Sequence, residues 1–394
     1  MKMMMISDMS VLVNNPHQVV LIAPPTSRRV IAFQHSLQKI RWPQAQVITY
    51  SEAINKPEKL INAIRPQTIV RVETSGECAE TERLLLNLGK VTTPQSSLQN
   101  SEDLQLEKGE IIPSIQWNEG LNFFFKHVQK VLSQSSKHYC TLDFDEGLIL
   151  FDKRKTAQYW QQKGLPIPQQ LIGTIENFEH LLSCLIQQNI PRVFIKLAHG
   201  SAASGTMALC FNGKAIKAIS TIDMVNNRQL HFYNTRRIKQ YTDIQTIEKI
   251  VNYLIKYHHL QIEAWIPKAN YQGNIFDVRV VVIDGKAQHT LIRLGKQAMT
   301  NLHLENGRGN LEHIKGYLGE SWASIPALAE QAMQVFPHSL YAGIDVLITQ
   351  HQRKVYLLEA NTFGDFHPNT YIQGLDTYQA ELLALLKRNK ILHD

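Results

Sequence analysis

The chain of 394 residues has no apolar run that reaches the roughly 18 residues a bilayer-spanning helix needs, so it offers no candidate for one. Cysteine is scarce. Cys78, Cys140, Cys184 and Cys210 lie far apart, with neither a C-x-x-C pair nor the spacing of a zinc site. Scattered thiols of this kind fit reduced residues in a cytoplasmic protein. Long basic runs are missing, as are the signatures of RRM, KH and helix-turn-helix modules, which argues against nucleic acid as the main partner. The Gly-Lys-Ser/Thr of a Walker loop is absent too. The Met-rich N-terminus is interrupted by Asp8 and no small-residue cleavage site follows it, so no signal peptide is expected.

What is present is the composition of a globular protein, 44% hydrophobic and 19% charged. A chain of this length exceeds one small core, so two or three packed lobes are expected. The formal net charge of +7 favours anionic ligands such as nucleotides, phosphorylated substrates or acidic peptides.

The first hundred residues alternate strand and helix patterns. Apolar runs at 17–23, 46–50 and 68–72 read as strands, and amphipathic stretches from Ser27 to Lys39 and from Ala79 to Leu88 read as helices. This alternation predicts a small α/β domain with a parallel sheet covered on both faces. Residues 92–120 are polar and irregular and read as a linker, and 120–137 as a helix. Strands are predicted at 192–197, 207–211, 214–219, 261–266, 276–283, 287–293, 343–349 and 354–359, and a helix at 243–257. Asn212-Gly213 and Asp284-Gly285 mark hairpins, so the second half is expected to be α+β. The predicted organisation is 1–140, 141–260 and 261–394.

Four segments carry chemistry. Near the C-terminus, Glu359 and Asn361 lie two apart and share a strand face, with Leu358 and Ala360 facing the other way. Asp345 sits mid-strand among apolar neighbours, and pairing the two strands would bring together three oxygen ligands of the kind magnesium takes. The bland alternative is strand acids paired with an arginine. In the second segment Lys196 leads into Gly200-Ser201-Ala-Ala-Ser204-Gly205-Thr206, a small-residue loop whose amides could wrap phosphate, or an ordinary hairpin loop. The third is Glu263-Ala-Trp265-Ile266, an acid beside an apolar strand that could flank an adenine or simply face solvent. The fourth pairs Asp277 with Arg279 on one strand face, followed by Arg293, Lys296 and Arg308. Singly these are surface cations; together they could neutralise a triphosphate.

Taken in order over about residues 145 to 375, these segments resemble the ATP-grasp superfamily, in particular its RimK-like and D-alanine–D-alanine ligase-like members. Asp152-Lys153-Arg-Lys155-Thr156 with Gly164-Leu-Pro-Ile-Pro168 is similar to the family's opening lysine segment. Thr300-Asn301-Leu-His303 and Gly307-Arg-Gly309 resemble its asparagine-containing stretch. The resemblance implies an ATP-grasp fold, two α+β lobes gripping ATP, preceded by a Rossmann-like domain. It implies Lys153 as first nucleotide lysine, with Lys155 as second choice, and Lys196 as the other. Gly200, Ser201, Ser204 and Gly205 would then cover the phosphates, Glu263, Trp265 and Ile266 hold adenine, and Asp277 contact ribose. Arg279, Arg293 and Lys196 would be catalytic, and Asp345, Glu359 and Asn361 would bind Mg2+, with Mn2+ as a substitute.

The implied reaction is ADP-forming: a carboxylate becomes an acyl-phosphate, and an amine, thiol or other nucleophile displaces phosphate. The partners would be ATP, a carboxylate and an amine acceptor, small molecule or peptide, in a protein whose relatives are commonly homodimers. Two departures bear on specificity. Leu197 replaces a proline after the second lysine, and Thr362-Phe363-Gly364-Asp365 replaces x-x-Pro-Gly after the metal asparagine. Rival readings keep the fold as a kinase of a phosphorylated small molecule, or keep only binding, as a regulatory protein.

Overall fold

The computed structural model describes residues 2–76, 78–99, 106–227, 229–304, 306–351, 353–363 and 367–390. The chain builds three sheets. The first is parallel throughout, in the order β2-β1-β3-β4, and consists of β1 (Val19–Ile22), β2 (Gln46–Ile48), β3 (Thr68–Val72) and β4 (His138–Cys140). Its helices are α1 (Lys2–Asn14), α2 (Arg28–Lys39), α3 (Tyr50–Asn55), α4 (Pro57–Ala63), α5 (Ala79–Gly89) and α6 (Ser114–Leu132). Strands β1 and β3 are buried along their whole length, as a parallel strand covered on both faces requires. Local signals start the helices: Ser27 Oγ accepts from Val30 N at 3.1 Å, and Thr49 with Glu52 forms a capping box.

Helix α6 begins at Ser114, six residues earlier than the sequence pattern predicts, and ends at Leu132 rather than near 137. Its first two turns are buried against α5, and glycine makes this contact possible. A Cβ at Gly89 would fall 1.8 Å from Gln116 O, and one at Gly120 would fall 1.9 Å from Leu85 O. The polar stretch read as linker is correspondingly shorter, and residues 100–105 lie outside those described.

Three helices follow: α7 (Phe144–Phe151), α8 (Lys153–Gln162) and α9 (Phe178–Gln187). The second sheet is antiparallel, in the order β8-β7-β6-β5-β9. It contains β5 (Arg192–Leu197), β6 (Met207–Phe211), β7 (Ile216–Asn227), β8 (Gln229–Tyr241) and β9 (Leu260–Ala264), with α10 (Ile244–Tyr257) packed on it. Strand β7 is twice as long as predicted and pairs with β8, which the sequence pattern did not reveal. The ladder is interrupted between Ser220 and Ile222, so no sustained alternation marks this hairpin.

The third sheet runs β13-β12-β11-β14-β15, with β10 added on β11. Its strands are β10 (Asn270–Tyr271), β11 (Asn274–Ile283), β12 (Lys286–Gly295), β13 (Gly307–Gly309), β14 (Tyr341–Ile348) and β15 (Val355–Asn361). Helices α11 (Leu311–Leu318) and α12 (Ser324–Gln334) cover one face, with Val278, Val280, Ile344 and Val346 packed against Ile325, Leu328 and Ala332.

The last helix, α13 (Thr377–Arg388), returns to the first sheet, where Tyr378, Leu382 and Leu386 share a core with Val19, Leu21 and Phe33. A fully buried ion network joins the two. Arg71 of β3 pairs with Glu73 at 2.6 Å and with Glu381 of α13, among the rings of Phe33, Tyr341 and Tyr378 at 4.8–5.4 Å. Among the described residues no helix is long and apolar enough to cross a membrane. Arg71→Leu takes from Glu381 the cation it pairs with and leaves Glu73 with the more distant Arg29 at 3.6 Å, so urea unfolding should show a loss of about 3–5 kcal/mol. A loss below about 1 kcal/mol, the scale of a surface pair, would remove this network from the account.

Candidate functional site

The face of the third sheet turned away from α11 and α12 carries charge. Strand register sets this up: Asp277 lies opposite Arg293, Arg279 opposite Asp345, Asp345 opposite Glu359, and Gly343 opposite Asn361. Directly opposed residues share a face, so two adjoining rows, Asp277 with Arg293 and Arg279 with Asp345 and Glu359, spread charge over four strands. Arg293 Nε donates to Asp277 Oδ1 at 2.7 Å and Arg293 Nη2 to Asp345 Oδ2 at 2.7 Å. Arg279 grips Asp345 through both Nε and Nη2, and its Nη2 lies 3.8 Å from Glu359 Oε1. Asn361 Nδ2 donates to Gly343 O and Glu359 Oε1, each at 3.3 Å. The three expected metal ligands are thus together, and Asp345 is at the same time held by two arginines.

One expectation for β15 is corrected. Asp345 pairs with Glu359 but Val346 pairs with Leu357, so Leu358 is the extra residue of a bulge. The bulge sends Leu357 into the core and leaves Leu358 beside Glu359 on the cleft, whereas strict alternation puts Leu358 on the opposite face.

The second sheet supplies the facing wall. Lys196 of β5 donates to Glu263 Oε1 of β9 at 2.5 Å. The loop after β5 turns through left-handed conformations at Ala202, Ala203 and Gly205, with φ of 52°, 60° and 63°. A Cβ at Gly205 would come within 2.6 Å of the Leu197 side chain, so glycine is needed there both for φ and for space. Lys153, at the start of α8, donates to Gly200 O at 2.5 Å and lies 3.6 Å from Glu359 Oε2.

Between the walls is a cleft of about 810 Å³, including space open to solvent. Phe194, Ile266, Met299, Leu347 and Leu358 make part of it apolar, and Lys153, Lys196, Lys268, Arg293, Asp345 and Glu359 make the rest charged. Of the residues picked from sequence, Gly200, Ser201, Ser204, Glu263, Ile266 and Asp277 also line it. Gly205, Trp265, Arg279 and Asn361 stand behind this lining. Trp265 packs on Phe194 with ring centroids 5.5 Å apart, and its backbone N–H donates to Arg192 O. Asp277 has both oxygens engaged, Oδ1 by Arg293 and Oδ2 by Lys268 Nζ at 2.7 Å and Thr300 Oγ1 at 2.5 Å. Sequence reasoning missed Lys268. Its only signal was a position two residues after Ile266, and nothing linear connects it to Asp277.

Burial disfavours charge at Glu359, Asp277, Arg293, Lys196 and Lys268, and the partners reverse the outcome at the first four. Burial opposes ionisation of Glu359, yet Lys153, Lys196, Arg279 and Arg293 hold its carboxyl at about 2. Asp277 is likewise held below the usual carboxylate range against burial, by Arg293 and Lys268. Against burial, Arg293 is pushed up by Asp277, Asp345 and Glu359, and Lys196 by Glu263, Glu359 and Asp345. Lys268 is the exception, since burial wins and its pKa falls below the ordinary lysine value despite Asp277. A cleft with cations on both walls and an oxygen-donor set on one is suited chemically to a polyanion together with a hard divalent cation.

No family model matches the sequence, and no curated protein matches it either. Solved structures do match in fold. The D-cycloserine synthetase DcsG superposes with a TM-score of 0.55 at 10% identity, over 93% of this chain and 98% of that one. The D-alanine–D-alanine ligase of Bacillus anthracis gives 0.51 at 11% identity, over 95% and 97%. The ATP-grasp ligase PsnB, complexed with a phosphomimetic variant of its minimal precursor, Mg and ADP, gives 0.51 at 12% identity, over 94% and 100%. The chain therefore has the fold of the ATP-grasp ligases.

The Glu359 shift has a testable sign. Its folded pKa of about 2 lies below the ordinary 4.5, so the stabilisation is complete above pH 4.5 and is lost as pH falls toward 2. Glu359→Gln should therefore destabilise the protein at pH 7, and the gap from the unsubstituted chain should close between pH 4.5 and 2 in urea titrations. A gap that stays constant over that window would contradict the assignment.

Proposed function

We propose that the chain is an ATP-dependent ligase that activates a carboxylate as an acyl-phosphate, releases ADP and passes the acyl group to an amine or other nucleophile. The observation that carries this reading is the cleft itself, with phosphate-seeking cations on both walls, a three-oxygen set at one end and an apolar lining at the other, on an ATP-grasp scaffold. The neighbouring ligases, one of them with Mg and ADP bound, support it.

The residues fit the ligands this requires. Asp345, Glu359 and Asn361 offer hard oxygen donors from adjacent strands, and Arg279 and Arg293 now neutralise the two acids in the way a divalent cation would. Bound there, Mg2+ would screen the negative charge of the phosphate oxygens. Lys153 and Lys196 line the cleft together with the 200–206 loop, whose small residues let backbone amides approach phosphate. Phe194, Ile266, Met299 and Leu347 suit the flat apolar faces of adenine. Asp277 serves the nucleotide chiefly by holding Lys268 and Thr300 at the cleft wall.

Chemically, the substrate carboxylate attacks the γ-phosphorus, the bond to the bridging oxygen breaks, and ADP leaves with the electron pair. The acceptor amine then adds to the acyl carbon, loses its proton, and expels inorganic phosphate. Negative charge spreads over the transferred group, so positioned cations supply most of the acceleration. Arg293 lines the cleft where this charge develops, Arg279 stands behind it, and Lys196 orients the phosphates. On this reading residues 1–140 and the segment after Asn361 choose the substrates.

The decisive assay incubates the purified protein with ATP, Mg2+ and a metabolite and peptide extract. Mass spectrometry should find a condensed product formed with stoichiometric ADP and phosphate. A stable phosphorylated product with no condensation would assign a kinase instead, and tight ATP binding with no turnover would assign a regulatory protein. Arg293→Ala should lower turnover by about 10²–10³, in line with the loss of one positioned charge-stabilising donor. In Glu359→Ala with Asn361→Ala, the dependence of nucleotide affinity on Mg2+ should vanish; undiminished dependence would sink the metal assignment.

A further inference from the structure

Two segments that touch the cleft are joined by a contact the proposed chemistry does not use. Asp152 is 1% exposed and His199 5%, and His199 Nε2 lies 3.2 Å from Asp152 Oδ2. Each adjoins a residue of the phosphate wall, Asp152 preceding Lys153 and His199 preceding Gly200. The two stretches are zipped around them. Lys153 N donates to Ala198 O at 3.0 Å, and Lys153 Nζ donates to Gly200 O at 2.5 Å. Asp152 is also the cap of α8. It accepts from Arg154 N at 3.0 Å and from the Arg154 guanidinium at 2.8 and 3.1 Å. The carboxylate thus fixes the start of the helix that presents Lys153, and the imidazole fixes the carboxylate to the phosphate loop.

The ring itself is held on its other sides. It stacks on Phe151 with centroids 6.2 Å apart and planes within 17°, and Phe151 in turn meets Phe363, two residues past Asn361. His259 lies edge-on at 6.0 Å. Burial keeps the imidazole pKa below its ordinary value even with Asp152 alongside. Neither ring nitrogen reaches full hydrogen-bond geometry among the described residues, so the 3.2 Å approach of Nε2 to Asp152 Oδ2 is what holds the polar edge of the ring. A buried imidazole held by one polar contact costs more than an apolar ring of similar size would.

We propose that His199 is a positioning residue for Lys153: through Asp152 it sets the start of α8 and locks the lysine ammonium between Gly200 O and Glu359, in place for a nucleotide phosphate. This rests on the reading of the cleft as a Mg-ATP site, and the test separates the two. His199→Phe keeps the stack on Phe151 and removes the donor; His199→Gln loses the ring and keeps an N–H at similar reach. Each is titrated with Mg-AMPPNP by calorimetry, and Lys153 is followed by acetic-anhydride labelling and mass spectrometry without nucleotide, with Lys196 as internal reference.

With His199→Phe, affinity should fall about tenfold, the scale of a lost hydrogen bond to a charged group, and Lys153 labelling should rise severalfold relative to Lys196. His199→Gln should restore most of both. If His199→Phe does not fold, Asp152→Asn, which keeps an acceptor for the helix cap, is read in its place. Lys153 labelling unchanged relative to Lys196, or the phenylalanine variant equal to the unsubstituted protein while glutamine is impaired, overturns the proposal in favour of simple packing. Absence of Mg-AMPPNP binding by the unsubstituted protein overturns the function instead, and the labelling result still decides the role of His199.

Discussion

Asp345 sits between two arginines, Arg279 and Arg293, on one face of a four-strand ladder, and Arg293 also holds Asp277. Removing four such charges from water is costly, and the cost is met only because sheet register puts opposite signs directly across from one another. Any slip of β11 against β14 would turn the row toward α12, where Val278, Val280 and Val346 now sit. The charged face and the apolar face therefore enforce the same register. The same pairing neutralises the charges of the cleft from within.

The rest of the molecule holds the two walls of the cleft. On one side, Arg71, Glu73 and Glu381 tie the first sheet to the C-terminal helix, so the strands bearing Asp345 and Glu359 share a continuous structure with the N-terminal core. On the other, Lys196 pairs with Glu263 across β5 and β9, and the Asp152–His199 contact ties the start of α8 to the stretch before the 200–206 loop. The loop itself keeps left-handed backbone at three positions, a conformation that exposes amide groups rather than burying them.

Much of this was legible in the sequence because it is local. Alternation over 276–283 and 343–349 placed the strands, and the two-residue spacings of Asp277 with Arg279 and of Glu359 with Asn361 placed the side chains on one face. What was not legible depends on partners distant in the chain or on broken periodicity. Arg71 lies in a strand expected to be covered on both faces, and its partner Glu381 comes 310 residues later. Lys268 has no meaning before Asp277 and Thr300 fold over it. The bulge at Leu358 and the interruption in β7–β8 each break the alternation on which strand reading relies. The loop after Asn361 includes residues 364–366, outside those described, so the expectation that it selects the acceptor stands on sequence alone.

The central claim is the proposal that Asp345, Glu359 and Asn361, beside Arg279 and Arg293, hold a metal-nucleotide complex. The most direct measurement is a crystal structure grown with AMPPNP and Mn2+, with anomalous data collected at the manganese edge. The account predicts an anomalous peak among Asp345, Glu359 and Asn361, the triphosphate between Lys153 and Lys196, and the guanidiniums of Arg279 and Arg293 turned from Asp345 toward phosphate. A peak elsewhere, or nucleotide bound with both arginines still on Asp345, would contradict it.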